Sequence, residues 1–267
     1  MRKICIINQK GGVGKTTTAV NLAFGLASQG KRVLIVDIDP QGNISTCIGG
    51  ESYKDLYDLL IENAEVGECI SHIAPNLDVI KSKETLTKAE FILMGEQSRE
   101  TCLRRKLAPL KSYNYDYVII DCPPSLGLLN QNALLYCDEA LIPASTDVLG
   151  FDALKKIITA IHKINDVFGH TLQITKIIPT MHDVRNKVCT ETLGKMQNDY
   201  YNLVADPIRI SSKFKEAPDK KKSIFEYDRA GKGSEDYQRL VKLVMRDEEK
   251  FDNPSVEPAK LTIKQLA

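Results

Sequence analysis

Short, fully apolar runs alternate along this chain with longer segments whose apolar positions recur at helical spacing. Ile4-Cys5-Ile6-Ile7 is the first run, and the pattern from Ala19 to Ala27 follows it. Arg32-Val33-Leu34-Ile35-Val36-Asp37, Tyr115 to Asp121, Glu139 to Pro143 and Leu172 to Ile178 repeat the theme. A run with no polar alternation predicts a strand buried on both faces, as in a parallel sheet. Leu77-Asp78-Val79-Ile80 alternates and predicts a shorter strand. Helical spacing predicts helices from Ser82, its cap, through Leu93, over about 98–110, over 126–136, over 151–168 and over 236–246. Residues 51–76 read as short helical pieces and loops, and Arg104-Arg105-Lys106 as a solvated face. The order strand, loop, helix, strand predicts an α/β fold: a doubly wound, mostly parallel sheet with helices on both faces. No linker or repeat divides it, so one domain is expected over 1–250, with a polar, flexible tail over 251–267.

The composition adds exclusions. A hydrophobic fraction of 43% suits an ordinary globular core, and no apolar run is long enough to span a bilayer. A strand-like run by residue 4 leaves no room for a secretory signal. Seven cysteines without a C-x-x-C pair fit a reducing cytoplasm, each as a small buried hydrophobe. A net charge of +1 means that any basic surface must be local. One local excess runs from Lys213 to Lys222, with five lysines against two acids.

Between the first strand and helix stands Gln9-Lys10-Gly11-Gly12-Val13-Gly14-Lys15-Thr16-Thr17. Strand, glycine loop and helix make the setting of a phosphate-binding loop. The glycines let backbone N–H groups approach phosphate oxygens, and the helix offers its positive end to the same anion. Lys15 is placed to reach the β- and γ-phosphates, and the Thr16 hydroxyl to bind Mg²⁺. Two apolar strands end in acids, at Asp37 and at Asp121. An acid at the end of such a strand downstream of the loop is the Walker B arrangement, which assigns Asp121 to the metal.

The loop departs from G-x-x-x-x-G-K-[ST] in having Gln9 at its first position and a second lysine, Lys10. K-G-G-V-G-K-T-T resembles the deviant Walker A loop of the ParA/MinD family of P-loop NTPases. Asp37-Ile38-Asp39-Pro40-Gln41-Gly42-Asn43 resembles that family's first switch segment, and Asp121-Cys122-Pro123-Pro124-Ser125 its second. The resemblance is to ParA/Soj-type partition ATPases and implies the following. ATP with Mg²⁺ binds at Gly11, Gly12, Val13, Gly14, Lys15, Thr16 and Thr17. Asp39 positions the attacking water. Asp37 stands near the metal, or alternatively caps the turn before Pro40. Lys10 reaches across a homodimer to the partner's nucleotide. Pro179-Thr180-Met181-His182-Asp183 and Asp206-Pro207-Ile208-Arg209 resemble the segments flanking the adenine, which points to Met181 and Pro207. His182 stands where the family has tyrosine and reads as a surface loop residue. Cys122 invites a redox reading, but its spacing does not match the cluster-binding reductases of this fold.

The same resemblance implies a cytoplasmic, nucleoid-associated ATPase whose ATP dimer binds double-stranded DNA without sequence preference and whose hydrolysis a ParB-type partner stimulates. The candidate DNA contacts are Arg209, Lys213, Lys215, Lys220, Lys221 and Lys222, with Arg185, Arg239 and Lys242 as possible additions. One rival is a MinD-like, membrane-cycling ATPase, which needs a basic amphipathic C-terminal helix with bulky apolar residues. Lys260 to Ala267 holds no aromatic residue, so no stable membrane association is expected. The other is a metabolic synthetase on the same fold, which needs a substrate pocket with its own acid or base.

Overall fold

The computed structural model describes residues 1–50 and 52–248. The boundary expected at residue 250 and the tail over 251–267 lie outside them. In chain order the elements are β1 (Arg2–Ile6), α1 (Lys15–Ser28), β2 (Val33–Asp37), α2 (Asn43–Ile48), α3 (Leu56–Leu60), α4 (Val66–Cys69), β3 (Ile70–Ala74) and β4 (Leu77–Ile80). Then come α5 (Leu86–Met94), α6 (Cys102–Lys106), β5 (Tyr117–Asp121), α7 (Leu128–Tyr136), β6 (Glu139–Ser145), α8 (Val148–Phe168) and β7 (Gln173–Thr180). The chain continues through α9 (Lys187–Tyr200), α10 (Lys213–Asp219), α11 (Ile224–Tyr227) and α12 (Lys232–Arg246).

The strands form one sheet in the order β3-β4-β2-β5-β1-β6-β7. Every described pairing in it is parallel except β3 against β4. Each central strand feeds two cores, which is why its sequence is apolar throughout. Ile4 and Ile6 of β1, Val33 and Ile35 of β2, and Tyr117 and Ile119 of β5 join one core with α1 and α12. Cys5, Leu34, Val36, Val118 and Ile120 join the other with α3, α5, α7 and α8. The doubly wound fold expected from the pattern is the fold observed.

Several local expectations change. Within 51–76, Ile70–Ala74 is an edge strand and not a loop. Asn76, at φ 64°, turns the chain tightly enough for β3 to pair back on β4. Ser82 caps no helix, because α5 begins only at Leu86. The helix expected over 98–110 breaks into α6 between two 3₁₀ turns, Arg99–Thr101 and Ala108–Ser112. Pro109 supplies no N–H to continue it. The last helix starts earlier than expected, at Lys232, and α8 starts at Val148 behind an Asp147 cap. The segment 187–200, unassigned from the pattern, is α9. Arg104 and Arg105 are exposed as expected. Cys47 and Cys189 are only partly buried, unlike the other cysteines.

Candidate functional site

Loops leaving the C-terminal ends of the adjacent strands β2, β5, β1 and β6 converge on one rim of the sheet. That rim is where open α/β sheets bind ligands. The glycine loop lies between β1 and α1, with Gly12 at φ 72° and Gly14 at φ 85°. These left-handed residues turn successive N–H groups toward one side, a concavity suited to an anion. Gly14 is also the N-cap of α1, so the unpaired N–H groups of that helix open onto the same space.

The loop is braced from below by groups that local spacing does not reveal. The Thr180 hydroxyl, at the end of β7, donates to the Val13 carbonyl at 2.9 Å. The buried Asn8 amide donates to the Pro143 carbonyl at 2.7 Å, and its Oδ1 accepts the Lys10 N–H at 3.0 Å. Lys15 is buried, and its Nζ donates to the Lys10 carbonyl at 3.4 Å. Burial lowers its pKa, with the Asp121 charge opposing. A bound polyphosphate would act in the opposite direction and favour the ammonium form.

Asp37 and Asp121 are direct cross-strand neighbours, and both are fully buried. Burial pushes Asp121 up to about 7, with the Thr16 hydroxyl and the Lys15 charge pulling it back. Asp37 is raised well above the carboxylate range, first by burial and then by Asp121. Both Asp37 oxygens accept backbone N–H groups, from Asp39 at 3.0 Å and Ile44 at 3.2 Å. Asp37 therefore caps the turn that follows β2. Asp121 Oδ2 accepts from Thr16 Oγ1 at 2.7 Å. Its Oδ1 is buried without a hydrogen-bond partner among the described residues. An orphaned carboxylate oxygen beside a threonine hydroxyl and a second acid is a donor set that a hard divalent cation fits.

Asp39 is buried at the same rim, its Oδ1 accepting the Gln41 N–H at 3.0 Å. Lys10 turns away from its own loop. Its Nζ meets both oxygens of Asp147, at 2.9 and 3.0 Å, and the Ser145 hydroxyl at 3.0 Å. Asp147 also caps α8 by accepting the Gly150 N–H at 2.8 Å. A cap is legible from an acid preceding a helical run, but its pairing with Lys10 is not. The Cys122 thiol is buried and held protonated by burial, so it offers no reactive thiolate.

Two further segments sit beside the loop. Residues around Met181 and Pro207 run side by side, with the Ile208 N–H donating to Pro179 and the His182 N–H to Ile208. Met181 is exposed at φ 53°, whereas His182, expected at the surface, is buried. The backbone pairing of His182 with 208–210 draws its ring inside, and burial lowers its pKa. Of the basic candidates, Arg209 is already committed: its guanidinium grips the fully buried Asp236 carboxylate at 2.6 Å and reaches Glu235. Lys213 pairs with Glu216 at 2.8 Å. Lys215, Lys220, Lys221 and Lys222 are exposed and form no ion pair among the described residues.

Residues 1–174 match the family model described as an AAA domain. The chain is 40% identical over 250 residues to the sporulation initiation inhibitor protein Soj of Bacillus subtilis, covering 90% of this chain and 97% of that protein. It is 37% identical over 254 residues to the chromosome partitioning protein ParA of Myxococcus xanthus, covering 92% and 88%. Among solved structures it superimposes on cobyrinic acid a,c-diamide synthase from Mycobacterium smegmatis, bound to an ATP analogue and magnesium. The TM-score is 0.81 at 27% identity, over 94% of this chain and 97% of that one.

Proposed function

This chain belongs to the ParA/Soj family of partition ATPases, P-loop NTPases of the ParA/MinD class, and from that premise we propose that it hydrolyses ATP in a homodimer that holds DNA. The observation that carries the reading is Lys10. A second lysine has no task in a self-contained phosphate loop, and here its ammonium leaves that loop for Asp147. Such a group is available to a nucleotide held by a second copy.

In this reading the backbone N–H groups of 11–14 and the Lys15 ammonium take the β- and γ-phosphates. Thr16 and Asp121, with Asp37 behind them, would hold Mg²⁺, which when bound would supply charge neutralisation. Asp39 positions the attacking water, and Lys10 of each copy adds charge to the transferring phosphoryl group of the other. Met181 and Pro207 flank the adenine. The unpaired lysines 215 and 220–222 face DNA phosphates, and a ParB-type partner accelerates turnover. The cargo is a replicon, and the protein resides with the nucleoid. Among the described residues no helix is long and apolar enough to cross a membrane.

Co-sedimentation tests this. With ATP and Mg²⁺ the protein should pellet with DNA and not with liposomes. Retention on liposomes alone would favour the membrane-cycling reading, and retention on neither, with steady turnover of a small acid, the synthetase reading.

A further inference from the structure

The turn that carries Asp39 is clasped from outside by a residue no motif marks. Ser82 follows β4, is buried, and donates its hydroxyl to the Asp39 carbonyl at 2.5 Å. The same carbonyl accepts the Gly42 N–H at 2.9 Å. The contact is close on the return side as well. Gly42 sits at φ 60°, and a Cβ there would lie 2.9 Å from the Ser82 carbonyl oxygen. Two backbones thus meet with no side chain between them, which glycine alone allows.

What surrounds the contact gives it weight. A cavity of about 640 Å³ opens on the outer side of the turn, lined by Gln41, Gly42, Ser45, Ser82 and Lys83 among others. Gln41 is exposed there, so on that side the turn is held through the backbone contact of Gly42 with Ser82 and the Ser82 hydrogen bond. On the inner side, Asp37 Oδ1 holds the Asp39 N–H and Asp39 Oδ1 holds the Gln41 N–H. The inner bonds fix where the Asp39 backbone begins. The Ser82 bond fixes the direction of the peptide leaving it, and with it the rotation of the Asp39 side chain about the turn.

We propose that Ser82 is a positioning residue for hydrolysis, holding Asp39 in the orientation that aligns the attacking water. Its hydroxyl is partnered by the Asp39 backbone, not by a residue of the phosphate loop or of the metal donor set. Its loss should leave nucleotide affinity intact and slow the chemical step. The proposal rests on Asp39 being the water-positioning acid, and the experiment separates the two ideas.

Steady-state ATP turnover is measured for wild type, Ser82→Ala, Ser82→Cys, Ser82→Thr and Asp39→Asn, each with its thermal midpoint. One lost hydrogen bond in the transition state corresponds to about a five- to tenfold fall in kcat. Ser82→Ala and Ser82→Cys should show that fall with KM for ATP unchanged. Ser82→Thr, which keeps the hydroxyl, should restore kcat. A fall in Ala and Cys that Thr does not rescue, or that tracks a lowered thermal midpoint, would make Ser82 a structural residue only. Wild-type kcat in Ser82→Ala, with Asp39→Asn inactive, overturns the role of Ser82 alone. Wild-type kcat in Asp39→Asn overturns the assignment of Asp39 beneath it.

Discussion

Lys10 Nζ lies 2.9 Å from Asp147 Oδ1, joining the glycine loop after β1 to the cap of α8 within a single protomer. Both side chains are partly exposed, at 29% and 45%, so the pair is weak enough to exchange for a stronger anion. A triphosphate presented by a second copy is such an anion. Lys10→Ala should bind ATP with wild-type affinity and remain monomeric. Light scattering in ATP and Mg²⁺ checks this, and an intact ATP dimer in the variant would remove Lys10 from the shared site.

Asp147 has two duties, which substitution can separate. Asp147→Ala removes the α8 cap and should cost about 1 kcal/mol in urea unfolding. Asp147→Asn keeps an acceptor for the Gly150 N–H and should cost less than half of that. An equal loss in both variants would mean that the ion pair with Lys10, not the cap, carries the stability.

Asp39 and Lys15 should fail differently. Lys15→Ala removes the cation facing the β- and γ-phosphates and should abolish nucleotide binding, read by fluorescent-nucleotide titration. Asp39→Ala should keep binding, lose turnover by at least about 100-fold and accumulate as an ATP dimer. Normal hydrolysis in that variant would transfer the water-positioning role elsewhere.

Lys220, Lys221 and Lys222 are exposed and form no ion pair among the described residues. Replacing Lys220, Lys221 and Lys222 together with glutamate should abolish ATP-dependent DNA binding and leave basal hydrolysis and dimerisation intact. Wild-type affinity should fall with salt at a log–log slope of about −0.9 per phosphate neutralised. Unchanged DNA retention in the triple variant would move the surface to another face.

Arg209 reads from the structure as a tether. Its guanidinium holds the buried Asp236 carboxylate, which also receives Arg239, and so ties the 206–210 stretch to α12. Asp236→Ala leaves two arginines around an empty, buried position and should cost about 3 kcal/mol. Chemical denaturation measures it. A loss below about 0.5 kcal/mol would show that the pair only decorates the surface.

The glycine loop, the strands ending in Asp37 and Asp121, and the doubly wound pattern were all legible along the chain. Each depends on residues adjacent in sequence: a strand buried on both faces is apolar throughout, and a phosphate loop needs its glycines and lysine at fixed spacing. The partner of Lys10, the clasp of Ser82 on Asp39 and the brace of Thr180 on Val13 were not legible. In each of them the two groups lie far apart along the chain. The sheet order decides these contacts, by setting β6 and β4 on opposite sides of the β2-β5-β1 centre. His182 shows the same limit. A polar residue after a strand reads as exposed, and only its pairing with 208–210, brought back by the chain after α9, puts it inside. Local pattern determines which segments can be buried; which segments meet is a property of the folded sheet, where burial and hydrogen bonding between distant residues outweigh what either residue prefers alone.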